Sequence, residues 1–262
     1  HAAPFWLARV LLHLGEIRLN EPVSIPSLQD TESQRLAARI TEIAQAMSEC
    51  EGVDEFQTTG SLPDRFFVLL EELHTVYDAY VAHNLAASEL NIQCRFGCTR
   101  CCHQAVHGVY SFEIINLYRQ LRPLAEYGTI HDTFVDYADQ FQATVAQISE
   151  ANDGDDTDPV MRTIEAFAAA AAPCPLLLGT NCRVYAHRPM SCRMYHSLTN
   201  PVHCTTPHGQ TFNLELPQQA NEILWALSDR LTFPFPTFLA QGMVTLARQR
   251  QLQPWGAALP GA

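Results

Sequence analysis

Positive charge is scarce in this chain. Its 262 residues carry 16 Lys+Arg against 28 Asp+Glu, a formal net charge of −12. A surface of that sign repels phosphate backbones and anionic lipid, which argues against nucleic acid as a general partner. Long apolar runs are also lacking. No stretch approaches the roughly 20 apolar residues that cross a bilayer, so no membrane role is expected. The apolar start, residues 1–14, is short and interrupted by Arg9. It lacks the basic flank and small-residue cleavage site of a secretory signal, so it reads as a first helix with a trimmed or tag-derived beginning, in a cytoplasmic protein. Strand signals are missing. So are a glycine-rich dinucleotide loop, a P-loop, a Gly-x-Ser-x-Gly elbow and a loop for S-adenosylmethionine, which leaves the common nucleotide, hydrolase and methyl-transfer sites without a sequence basis.

What is present is a hydrophobic share of 47%, ordinary for a globular protein, and a length that supports a substantial core. The patterning is helical. Thr31-x-x-Gln34 resembles a capping box, followed by Leu36, Ile40, Ile43 and Met47 at helical spacing. Ser61, Pro63 and Asp64 start another helix, with Phe66, Leu69, Leu70, Leu73, Val76, Tyr77 and Tyr80 as a core stripe. Two helices are expected over 111–150, with Ser111 as N-cap and Glu113 in the first turn. Asp158-Pro159 opens an alanine-rich helix to about Ala172, and terminal helices are expected over 217–230 and 235–252. The acidic loop 151–158 lacks the glycine and glutamate positions of a calcium-binding EF-hand loop and reads as solvated. The expected fold is mostly α, about seven or eight helices around an irregular cysteine-rich segment. It divides into a helical N-terminal region (1–89), a cysteine-cluster core (90–212) and C-terminal helices (213–262), packed as one compact domain.

Nine cysteines stand out, and four of them lie within nine residues: Cys94, Cys98, Cys101 and Cys102. On a helix the first three would fall within about 60° of one another. Helical neighbours three or four apart have Cβ atoms about 5–6 Å apart, whereas a disulfide needs them near about 3.8 Å. The spacing therefore suits thiolates converging on metal, as does a tight loop. A second group, Cys174, Cys182, Cys192 and Cys204, lies in a stretch where Pro173, Pro175, Pro189, Pro201 and Pro207 forbid long helices. Four plus four makes two complete four-thiolate sets, of the kind that holds zinc or an iron–sulfur cluster. A single cluster, with the remaining thiols in supporting or catalytic roles, fits the count equally well. Adjacent Cys101 and Cys102 are expected to point to different partners. Cys50, alone in a helix, reads as a buried hydrophobe. Cys94-x3-Cys98-x2-Cys101 also matches the three-cysteine motif of radical S-adenosylmethionine enzymes, but Arg100 stands where that family has an aromatic residue.

The pattern resembles the YkgJ-type cysteine-cluster family of zinc- or iron-chelating domains. The resemblance runs over about residues 90–205. It rests on Cys94-x3-Cys98-x2-Cys101-Cys102, on Cys174-Pro175-Leu176-Leu177, and on Cys182-Arg183-Val184-Tyr185-x2-Arg188-Pro189-x2-Cys192-Arg193-x-Tyr195. It implies metal binding by all eight cysteines. Flagellin lysine N-methylases are relatives thought to carry an iron–sulfur cluster, so the resemblance points to an iron–sulfur cluster, a 4Fe–4S type, or iron. Redox or peptide and protein modification chemistry would follow, with a peptide or protein as substrate. The alternatives are a structural zinc domain that mediates protein interaction, and a metal carrier or store. Arg188 and Arg193 bracket Cys192 and are the candidate cofactor-contacting residues, as donors to sulfur or as clamps for an anionic substrate. His103, His107, His187, His196, His203 and His208 lie near the cysteines and are possible replacement ligands.

Overall fold

The computed structural model describes residues 29–88, 90–94, 97–151, 158–204, 211–231 and 238–251. The helix expected over 1–14, most of the acidic loop and His208 lie outside these residues. Among the described residues are seven helices longer than ten residues and two of about one turn. They are α1 (Thr31–Ser48), α2 (Phe56–Thr59), α3 (Asp64–Ala86), α4 (Ser111–Leu121), α5 (Tyr127–Ala151), α6 (Pro159–Ala169), α7 (Met190–Met194), α8 (Gln218–Arg230) and α9 (Leu239–Gln251). The strands are short: β1 (Leu177–Leu178) pairs antiparallel with β2 (Asn181–Cys182), and β3 (Tyr195–Ser197) with β4 (Thr211–Asn213). The fold is mostly α, as the patterning predicts. No helix among the described residues is long and apolar enough to cross a membrane.

The helices form because each has an apolar stripe to bury. In α1 the stripe is Leu36, Ile40, Ile43 and Met47, and in α3 it is Phe66, Leu69, Leu70, Leu73, Tyr77 and Tyr80. The two helices pack on each other, α8 packs on α1, and α9 packs on both α4 and α5. The start of α1 differs from expectation. Asp30, not Thr31, is the cap, and its carboxylate accepts the Ser33 N–H at 2.7 Å. Likewise Tyr110 holds the cap position of α4 and Ser111 is the first helical residue. Cys50 lies in the turn after α1 rather than in the helix, half-buried against the core.

One close approach fixes the seat of α9. A Cβ on Gly242 would stand 2.3 Å from Ile114 Cδ1 on α4. Gly242→Ala should therefore lower stability by about 1–2 kcal/mol, overpacking outweighing the helix preference for alanine. The urea midpoint checks this, and an unchanged or raised midpoint would show that α9 shifts freely.

Candidate metal centre

The cysteines lie where the chain has least regular structure. The helical arrangement of Cys94, Cys98 and Cys101 does not form, and the tight-loop alternative holds. Gly97, at φ +81°, turns the chain ahead of Cys98 in a conformation that favours glycine. Cys101 and Cys102 then sit on the 3₁₀ turn Arg100–His103. Cys174 follows α6, Cys182 lies on β2, Cys192 on α7, and Cys204 closes the 3₁₀ turn Pro201–His203. The two groups are far apart in sequence and are joined by backbone bonds. The Cys174 N–H donates to the Cys102 carbonyl at 2.7 Å, and the Gln93 N–H donates to the Ser197 carbonyl at 2.8 Å. All nine cysteines are free thiols.

Six of the eight clustered thiols have raised pKa values. Burial raises Cys94, Cys182, Cys192 and Cys204, and pushes Cys174 up to about 12. A hydrogen bond with the Cys102 thiol, then burial, raises Cys101. A buried thiolate without a countercharge is costly. A backbone donor is already aimed at one sulfur. The Ser197 N–H lies 3.1 Å from Cys94 Sγ, and the backbone of Leu176 and of Val184 works against the raising of Cys174 and Cys182. Such donors stabilise the charged form of sulfur. Three buried polar atoms without a partner gather in the same stretch: Arg183 Nε, His187 Nδ1 and Ser191 Oγ. Soft sulfur donors, an amide bond to sulfur and orphaned polar atoms together fit a thiolate-bound metal or cluster. Among the described residues no three Cys, His, Asp or Glu side chains close on one point tightly enough to hold a single ion.

Of the two arginines, Arg188 is the one whose charge acts on the thiols. Its guanidinium stacks 4.2 Å from the Tyr185 ring, stands 3.6 Å from Asp78, and its charge opposes the raising of Cys101 and Cys182. Arg193 is buried, and all three of its nitrogens are engaged. Nε donates to the Arg188 carbonyl at 3.0 Å, one Nη to Asp78 at 2.5 Å and the other to the Ala186 carbonyl at 2.6 Å. It braces the ligand segment against α3. Its nitrogens meet protein oxygens rather than sulfur in this structure.

Sequence reasoning missed Glu113 as part of this site. It is 1% exposed, and its carboxylate accepts the Tyr110 N–H at 3.2 Å and the Met190 N–H at 2.7 Å. One carboxylate thus caps both α4 and α7, the short helix that carries Cys192. His74 Nε2, also buried, lies 3.6 Å from it, just beyond hydrogen-bond reach. The one available signal was a charge set among Phe112, Ile114 and Ile115. His103 and His196 each donate Nδ1–H to a carbonyl, of Thr99 and Met194, which leaves Nε2 as the accepting atom. A narrow cleft of about 250 Å³, lined by Tyr137, Phe141, Phe238 and Gln241, reaches Cys174 from the α5 and α9 side.

Residues 93–215 match the model of the CxxCxxCC family, described as "Putative zinc- or iron-chelating domain". No curated protein and no solved structure matches the chain.

Proposed function

On the match of residues 93–215 to the CxxCxxCC family model, we propose that the eight thiols bind metal as an iron–sulfur centre serving redox chemistry or the modification of a peptide or protein. The observation that carries metal binding is the joining of two sequence-distant cysteine groups by backbone bonds at Cys102–Cys174 and Gln93–Ser197, with the Ser197 amide already donating to the Cys94 sulfur. The Cys94-x3-Cys98-x2-Cys101 spacing favours an iron–sulfur cluster over zinc. Leu178, Tyr185 and Val202, each about half exposed, lie within the cysteine-rich segment and give a peptide substrate apolar surface to meet.

In this reading the cluster, when bound, supplies electron transfer or Lewis acidity. The protein's own groups orient the thiolates, offset their charge through Arg188, and hold α7 through Glu113. Anaerobically purified protein should be brown, with charge-transfer absorption and acid-labile sulfide. Cys182→Ser should lower metal content and Cys50→Ser should leave it unchanged. Stoichiometric zinc without sulfide under the same handling would replace the cluster by structural zinc, and equal metal loss in the two variants would overturn the ligand assignment.

A further inference from the structure

Resting on the reading of Cys174 as a ligand of the metal centre, we propose that the cleft between α5 and α9 is the substrate subsite of that centre. It takes an uncharged ring or short chain that ends in an amide carbonyl.

The cleft is tied to the segment that carries the vicinal cysteines. The Cys174 N–H donates to the Cys102 carbonyl at 2.7 Å, and the Leu239 N–H, at the start of α9, donates to the Val106 carbonyl at 3.0 Å. Cys174, Val106 and Leu239 all line the cleft, so a group lodged there meets a residue that holds the metal. The walls are apolar and aromatic. The rings of Phe141 and Phe238 stand 4.9 Å apart, and Tyr137 and Phe141 both pack edge-on against Phe167, at 5.1 and 5.2 Å. Such walls suit a flat or apolar body. At about 250 Å³ the cleft falls just below the ~300–1,000 Å³ of ordinary ligand pockets, so it fits one ring or one side chain rather than a nucleotide.

Two polar groups in this lining have no hydrogen-bond partner in the protein. Gln241, on α9, is 7% exposed, and its Nε2 is buried without an acceptor. The Tyr137 hydroxyl, on α5, is buried and equally unpaired. The core tyrosines differ. Tyr77 places its hydroxyl on the Leu214 carbonyl, and Tyr110 places its own on Asn221. Buried polar groups are normally paired, so two unpaired ones on a single apolar cleft mark a site that completes its bonds with a ligand. A carbonyl oxygen has two lone pairs and accepts from an N–H and an O–H together. Among the described residues no Asp, Glu, Lys or Arg lines the cleft. A carboxylate would be buried there without a countercharge, beside the Cys174 thiolate, so the ligand is neutral.

The test uses metal-loaded full chain and three probes of one size: benzamide, benzoate and toluene. Benzamide should bind with millimolar Kd by ligand-observed magnetic resonance and should shift the absorption of the centre. Toluene should bind more weakly and benzoate not at all. Tyr137→Phe and Gln241→Leu should each weaken benzamide by about 5–10-fold and leave toluene unchanged. Their urea midpoints should hold or rise, because neither change removes a bond within the protein. Lower midpoints in both variants would show that the two groups serve the fold, and would overturn the proposal. So would benzoate binding as tightly as benzamide, or benzamide binding that both variants leave intact. The wild-type ranking of the three probes decides alone should a variant fail to fold. Tighter binding of N-acetylphenylalaninamide than of benzamide assigns the group to a peptide, and the reverse assigns it to a free small amide. Benzamide binding in a chain that takes up no metal overturns the parent reading alone. No benzamide binding in a metal-loaded chain overturns the subsite alone.

Discussion

Stripping metal with a chelator, under reducing and oxygen-free conditions, should release the cysteine-rich segments from protection while leaving the main helices standing. Amide hydrogen exchange should rise steeply over 97–106 and 174–204 and hold nearly constant in α1, α3 and α4. The reason lies in what each part has besides metal. The helices share a continuous apolar core, with Ile40, Phe66, Leu70, Leu73, Tyr77, Phe112 and Ile115 almost fully buried. The segments contribute only a few core side chains, among them Leu176, Val184 and Met190, and their strands are two or three residues long. A structural metal in a small cysteine site is worth an apparent ~10–16 kcal/mol, as much as the whole stability of a typical domain, about 5–15 kcal/mol. Removing it also leaves buried thiols that must be protonated again. Unchanged exchange in 174–204 after complete metal removal would show that the hairpins and the Arg193 brace suffice, and that metal is not what joins the two cysteine groups.

The helices were legible because their signal is local. A stripe such as Phe66 to Tyr80 declares its own period, and a proline such as Pro159 marks where a helix begins. The boundaries shifted where a neighbour competed for the cap. Asp30 outranks Thr31 because its carboxylate both accepts the Ser33 amide and meets His83 at 2.8 Å from α3, a tertiary contact that no local rule contains. The eight thiols were legible by number and clustering. Their arrangement was not, since it depends on a 3₁₀ turn in place of the helix and on backbone bonds between segments some 70 residues apart. Glu113 shows the limit most clearly. In sequence it is an acidic residue in a first helical turn, a position the helix dipole already explains. Its second oxygen, which caps α7 by accepting from Met190, belongs to a contact across 77 positions.

Arg193→Ala should be among the most damaging single changes in the chain outside the thiols, with a stability loss of about 3–5 kcal/mol. The Arg193 side chain is 2% exposed and has three partners on two elements: Asp78 on α3, and the carbonyls of Ala186 and Arg188 in the loop before α7. Truncation leaves two carbonyls without their donor, at about 1–3 kcal/mol for each that stays buried, and removes the countercharge of Asp78. Asp78 is 44% exposed and regains water, which keeps the loss toward the lower end. Arg193→Lys should recover only part of it, because one ammonium cannot reproduce a planar fork that serves three acceptors on different sides. Arg188→Ala gives the contrast. Its guanidinium stacks on exposed Tyr185, donates to the Tyr185 carbonyl at 3.1 Å near the surface and makes a 3.6 Å ion pair, so stability should fall by less than about 1 kcal/mol. Its charge is the one that reaches Cys101 and Cys182, so metal affinity should fall by about 10–100-fold or the centre's potential should shift. Urea unfolding of metal-loaded protein, paired with competition against a chelator, separates the two effects. A stable Arg193→Ala protein with weakened metal binding, beside an unstable Arg188→Ala protein with normal binding, would reverse the two roles and show that the brace and the charge partner had been exchanged.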